Sequence, residues 1–397
     1  MAYTPTDRVK KLTPSLILEI SAQASTDPEI INLSAGQPDF PTPDPIKQAG
    51  IDAINSNFTR YTAGGGIPEL RQAVAEKVSR ETCIARKAEN VVITSGAKHS
   101  LANAILAIIN PGDRVLLPSP YWVAYPEQIW LAGGEVITLP TEQENGFRIT
   151  PAQLEAALAT DPKLIMLNSP SNPTGAIYEK KHLDLLVPIL KESGILIIAD
   201  EIYGKLIYEG HTFTSLGSYE ELKDQVLIVN GVSKTYSMTG WRLGWGVGPK
   251  ELVQKMAIIQ SQMTSSPCSI SQKAALAAIQ RPEAEFAPML NAFQARRNRA
   301  LEIVDQMPEV TCHPPEGAFY LFLDVTAYLP ERNPADDKPM RSMELARYLV
   351  KEHKVAIVPG MAFGSDDHIR VSFATAMEDV EEGLKRVQKG LAEYKRR

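Results

Sequence analysis

Between about residue 90 and residue 250, short apolar runs alternate with longer amphipathic stretches. The runs lie at 91–94, 114–117, 136–139, 164–167, 195–199 and 226–229. They are nearly continuous in Val, Ile and Leu, the pattern of strands covered on both faces. The stretches at 99–109, 125–131, 151–158 and 181–191 carry a helical period, and Pro111-Gly112, Gly133-Gly134 and Gly194 mark boundaries. This repeated strand-helix order predicts an α/β fold, a three-layer α/β/α domain around a mostly parallel sheet.

From about residue 285 the pattern changes. A helical period at 286–307 leads into a strand pattern at 317–324 and a Pro- and charge-rich stretch at 328–339. A helix and two short strands near 355–358 and 369–373 follow. This is α+β order. The chain is therefore expected to divide into a large domain at 46–285 and a smaller α+β domain at 286–397. Residues 1–45, rich in Pro and too short to fold alone, are expected to pack on the smaller one.

Composition narrows the function classes. With 397 residues, 44% hydrophobic and 22% charged, the chain can bury a large core without disulfides or metal clips. Lys and Arg number 41 against 47 Asp and Glu, a net charge of -6 with no basic stripe, which argues against a nucleic-acid partner. The cluster Arg296, Arg297 and Arg299 reads as a solvated helix face. Cys83, Cys268 and Cys312 lie far apart in no metal-binding or disulfide spacing, which suits a reducing cytoplasm. Met1 to Pro5 opens no basic-then-apolar leader, and no apolar run approaches the roughly 18 residues of a membrane span. A cytoplasmic protein without a membrane partner is expected.

In open α/β sheets, ligands sit beyond the carboxyl ends of the strands. Four predicted strand ends carry polar residues: Ser95-Gly96-Ala97-Lys98, Asn168 through Gly175, Asp200-Glu201-Ile202-Tyr203, and Asn230 through Lys234 followed by Gly240-Trp241-Arg242. Each is weak alone. Glycine turns at helix starts are common, Asp200 suits a local cap equally, and most lysines are surface groups. Together they supply an anion cradle, a carboxylate and an amine in an apolar loop, which is what an aldehyde cofactor with a phosphate and a ring nitrogen demands.

Ser233-Lys234-Thr235-Tyr236-Ser237-Met238-Thr239-Gly240-Trp241-Arg242, together with Ser171-Asn172-Pro173-Thr174-Gly175, Asp200-Glu201-Ile202-Tyr203 and Ser34 through Phe40, resembles the class I pyridoxal-phosphate aminotransferases, bacterial aspartate subgroup. The resemblance runs over essentially the whole chain. It implies pyridoxal 5'-phosphate as cofactor, the pyridoxal-phosphate fold type I and a homodimer with shared active sites. Lys234 would be the Schiff-base lysine, Asp200 would pair with the ring nitrogen, and Tyr203 with Asn172 would hydrogen-bond the ring hydroxyl. Arg242 and the backbone of Gly96 and Ala97 would hold the phosphate, Trp122 would stack on the ring, and Tyr61 would reach the neighbouring subunit's phosphate. Many relatives carry Ser three residues before the lysine; here that position is Gly231.

By the same resemblance Arg370 would clamp the substrate α-carboxylate, with the backbone at Gly36 nearby. A strand arginine paired to a structural acid is the bland alternative. Lys98, with Thr13 and Ser15 of a closing N-terminal segment, would take a second carboxylate. The implied reaction moves the amino group of L-aspartate to 2-oxoglutarate. Thr13 with Lys98 also resembles members that convert prephenate to arogenate. An aminotransferase for aromatic or other amino acids, or a lyase on the same fold, is the competing expectation.

Overall fold

The computed structural model describes residues 4–12, 20, 27–331 and 340–395. After a short first strand, β1 (Ile31–Asn32), one seven-stranded sheet takes β2 (Val91–Thr94), β3 (Arg114–Ser119), β4 (Glu135–Pro140), β5 (Leu164–Asn168), β6 (Leu196–Asp200), β7 (Val226–Gly231) and β8 (Gly244–Val247). Their order is β2-β8-β7-β6-β5-β3-β4. Pairing is parallel from β4 through β3, β5 and β6 to β7. Only β8 runs antiparallel, between β2 and β7. Alternate residues face opposite sides of the sheet. Ile165, Leu167, Ile197 and Ala199 pack into one core layer, and Leu164, Met166 and Ile198 into the other. That two-sided burial explains why these strands read as unbroken apolar runs.

Strand β8 was not among the expected strands; Gly244 and Gly246 interrupt its apolar run. A Cβ on Gly244 would run into the backbone nitrogen of Ala97, so glycine lets the strand pass under the start of the helix Ala97–Ile108. Close packing on the other side of β8 explains Gly231. It pairs with Gly244 across β7 and β8, and a Cβ there would lie 2.9 Å from Gly244 Cα and from Leu243 O. Gly231→Ser is expected to destabilise the fold by roughly 1–3 kcal/mol through overpacking. A thermal melt equal to wild type would show that β8 yields easily.

A second, antiparallel sheet contains β9 (Thr311–Cys312), β10 (Tyr320–Asp324), β12 (Val358–Pro359) and β13 (His368–Ser372). Between them in sequence, β11 (Val355–Ala356) pairs in parallel with β1. The run at 355–358 is thus two strands in different sheets. Val355 through Val358 are all fully buried, so the change of partner leaves no polar mark in the sequence. Residues 31–42 bridge the two sheets: β1 joins β11, Leu33 O accepts from Ser372 N at 2.8 Å, and the Thr42 hydroxyl donates to Ser237 O at 2.7 Å. Among the described residues no helix is long and apolar enough to cross a membrane.

Candidate functional site

The carboxyl ends of β2, β5, β6 and β7 open onto one cavity. Gly36, Ala97, Lys98, Trp122, Asn172, Asp200, Tyr203, Lys234, Arg242 and Arg370 all line it. Asp200 closes β6 and is 4% exposed. Its Oδ2 accepts from the Tyr125 hydroxyl at 2.8 Å and its Oδ1 from Ile202 N at 3.2 Å. Burial outweighs these bonds and pushes its carboxyl up to about 6. A carboxylate so placed gains from any cationic partner that enters the cavity.

Lys234 sits in the turn after β7, with its Nζ donating to Gly36 O at 2.5 Å. Burial, then the positive charges of Arg370 and Arg242, lower its amine to about 8. About a tenth of that amine is neutral at pH 7 and half at pH 8. Stopped-flow capture of pyridoxal phosphate by the protein is therefore expected to speed up about fivefold between these pH values and to level off by pH 9. A rate still climbing through pH 10 would mark an ordinary lysine.

Arg370 is the most unusual group. It lies on β13, is 1% exposed, and its guanidinium stands 4.3 Å from the Tyr320 ring centre. Nη1 donates to Asn172 Oδ1 at 2.9 Å and Nη2 to Ser34 O at 2.7 Å, while buried Nε has no partner. No carboxylate pairs with it among the described residues, whereas the structural-acid alternative requires one. A buried guanidinium held only by neutral acceptors is poised for an anion.

At the other end of the cavity Gly96, at φ +88°, precedes the helix Ala97–Ile108. A Cβ on Gly96 would lie 2.5 Å from Arg242 Nη2, so the missing side chain leaves room for the guanidinium over a helix start. Arg242 Nη1 donates to Thr239 O at 3.0 Å. Lys98 follows on the same turn, its ammonium 4.9 Å from the Trp122 ring centre. Burial and then Arg242 lower the Lys98 amine. The cavity thus holds Lys98, Lys234, Arg242 and Arg370 against Asp200, an excess of positive charge.

Tyr61 does not line this cavity and is 89% exposed. Thr13 and Ser15 lie outside the described residues. Two tyrosines were missed. Tyr125 follows Trp122 by nearly one helical turn, a weak signal. Tyr320, whose hydroxyl bonds that of Tyr203 at 2.8 Å, sits in an apolar strand with no local sign of polar work. Its link to Arg370 is visible only across β10 and β13, where Phe322 opposes Arg370 and Tyr320 is the next residue on the same face.

A profile of the family "Aminotransferase class I and II" matches residues 28–387. The chain is 41% identical to an aspartate/prephenate aminotransferase of Cereibacter sphaeroides and 40% identical to an aspartate aminotransferase of Bacillus subtilis. Each match covers 96% of this chain and 97% of the relative. Among solved structures, the aspartate aminotransferase of Rhizobium meliloti superposes with a TM-score of 0.92 at 37% identity, covering 98% of this chain and 99% of that one. That of Thermus thermophilus with maleate gives 0.91 at 36%, covering 98% and 100%. Shared sequence over nearly the full length and a shared fold place the chain in the class I and II aminotransferases.

Proposed function

We propose that the chain transfers the amino group of L-aspartate to 2-oxoglutarate, with pyridoxal phosphate held in the cavity. The observation that carries this reading is Arg370, a buried guanidinium with no acid partner among the described residues, facing the cavity that holds Lys234. The donor set fits the cofactor. Arg242 over the Gly96 turn suits its phosphate, Asp200 its ring nitrogen, Tyr203 and Asn172 its ring hydroxyl, Trp122 its ring face, and the lowered amine of Lys234 its aldehyde.

When bound, pyridoxal phosphate supplies the electron sink that makes the α-proton of an amino acid removable. Arg370 holds the α-carboxylate through its fork and so fixes which α-substituent faces Lys234. Nζ of Lys234 would take that proton and return it on the far side of the migrating nitrogen, two atoms from where it left, a task suited to an amine lowered toward neutral pH. Asp200 keeps the ring nitrogen charged. Lys98, with Thr13 and Ser15, takes the second carboxylate of aspartate or glutamate. The maleate in the Thermus thermophilus structure, itself a dicarboxylate, supports that choice.

Tyr61 completes the phosphate shell of a second copy in a homodimer. It is supported by the exposure of Tyr61 and of the apolar Ile258 and Met263, which lie on the helix Lys250–Met263; beyond it, Ser266 accepts from Thr62 N. Prephenate is a second amino acceptor on this reading, favoured by the name of the Cereibacter sphaeroides relative. The test is incubation of the holoenzyme with aspartate and 2-oxoglutarate. Oxaloacetate and glutamate in equal amounts are expected. Release of ammonia without oxaloacetate would overturn the assignment in favour of a lyase.

A further inference from the structure

Asp200 and Glu201 are neighbours that face opposite sides of the large sheet. Asp200 shares its face with Ile198 and Tyr125. Glu201 continues the face of Ala199, on which Leu216, Tyr236 and Trp245 pack. There it enters a second cavity, behind the turn that carries Lys234, lined also by Lys77, Glu81, Lys205 and Thr235.

Glu201 is 6% exposed, and its Oε1 accepts from the Ser215 hydroxyl at 2.7 Å and from Leu216 N at 3.2 Å. Its own N–H donates to Val229 O at 2.9 Å and its carbonyl accepts from Gly204 N at 2.8 Å. The residue after β6 is therefore tied at both backbone atoms and at the side chain. We propose that Glu201 is a positioning residue for amino transfer: it anchors the end of β6 to the turn at 215–217 and thereby fixes the direction of the Asp200 carboxylate. The inference rests on the reading of Asp200 given above.

The anchor works as a neutral acid. Burial, opposed by Ser215 and Leu216 but aided by the charges of Glu81 and Asp200, pushes the Glu201 carboxyl up to about 8. The cations facing it are already bridged: Lys77 to Glu81 and Glu283 at 2.8 and 3.3 Å, Lys205 to the same two at 2.7 and 2.8 Å. Tyr236 is the remaining titratable group on that wall, its phenol raised by burial. Protonated Glu201 thus places no second negative charge behind Asp200.

The test compares wild-type holoenzyme with Glu201→Gln, Glu201→Ala and Ser215→Ala. Glutamine keeps the Oε1 acceptor, so kcat and KM within about twofold of wild type are expected at pH 7, with the two enzymes diverging only above about pH 8. Alanine removes the tether; kcat is expected to fall about 10- to 100-fold, with KM for aspartate little changed and the visible spectrum of bound pyridoxal phosphate titrating at a shifted pH. Ser215→Ala moves the same readouts by less and keeps the test available if Glu201→Ala fails to fold. A tether that serves packing alone would lower the melting temperature and leave kcat and the titration untouched, which overturns the proposal. Glutamine as damaging as alanine would also overturn it. A wild type without amino transfer defeats the underlying reading instead, and the spectral titration still judges Glu201.

Discussion

Holoenzyme carrying Lys234→Ala is expected to turn over aspartate and 2-oxoglutarate about 10⁴-fold more slowly than wild type, the upper end of what a positioned base contributes. The upper end applies because, on the proposed reading, one amine would both bond the cofactor aldehyde and move the α-proton. The same substitution is expected to leave the melting temperature of the cofactor-free protein unchanged or higher. An amine whose charged form is disfavoured by burial and by Arg370 and Arg242 is a strained component of the fold. Sign follows from the shift. A lowered amine is protonated more readily in the unfolded chain than in the folded one, so its stability cost is full below about pH 8 and fades as pH rises toward 10.5. The gain from Lys234→Ala should therefore be larger at pH 7 than at pH 10. Turnover within tenfold of wild type, measured by oxaloacetate formation, would remove Lys234 from the chemistry.

Arg370→Met is expected to lower kcat/KM for aspartate and for 2-oxoglutarate alike by about 10³-fold, the loss of one desolvated charge pair. Both substrates carry the carboxylate that Arg370 would clamp, so both suffer. Lys98→Ala, by contrast, would spare any substrate with a single carboxylate. Stability should move little, because two effects oppose. Removing an uncompensated buried charge is favourable by about 1–4 kcal/mol, while Asn172 Oδ1 and Ser34 O each lose a donor at about 1–3 kcal/mol. Arg370→Lys should recover only part of the activity, since an ammonium lacks the planar fork. Unchanged kcat/KM with a large fall in melting temperature would return Arg370 to a purely structural role.

The inner parallel strands β5, β6 and β7 were legible in the sequence because burial on both faces leaves nothing polar in them until their last residues. For the same reason the site was legible at strand ends: Asn168, Asp200 and Lys234 are conspicuous where an apolar run stops. Strand β8 was not, since close packing against Ala97 required the glycines that elsewhere signal a turn. The two strands inside 355–358 were not, since pairing partner is not written in hydrophobicity. Tyr320 and Glu201 escaped for related reasons. One acts through a neighbouring strand, and the other faces the side of the sheet away from the cavity, so neither carries a local mark of its work.

The segment at 31–42 gives the site an order of assembly. Gly36 O receives Lys234 and Ser34 O receives Arg370, while β1 pairs with β11 close to the carboxyl end of the chain. On a ribosome, where amino-terminal parts fold first, Gly36 must wait 198 residues for Lys234, and Ser34 must wait 336 for Arg370. A nascent chain can complete much of the large sheet, and even present Asp200 and Lys234 together, before the tunnel releases β13. On the proposed reading, amino-acid recognition through Arg370 therefore becomes possible later in synthesis than the pairing of Asp200 with Lys234, so a nascent chain would meet the cofactor before it could hold an amino acid.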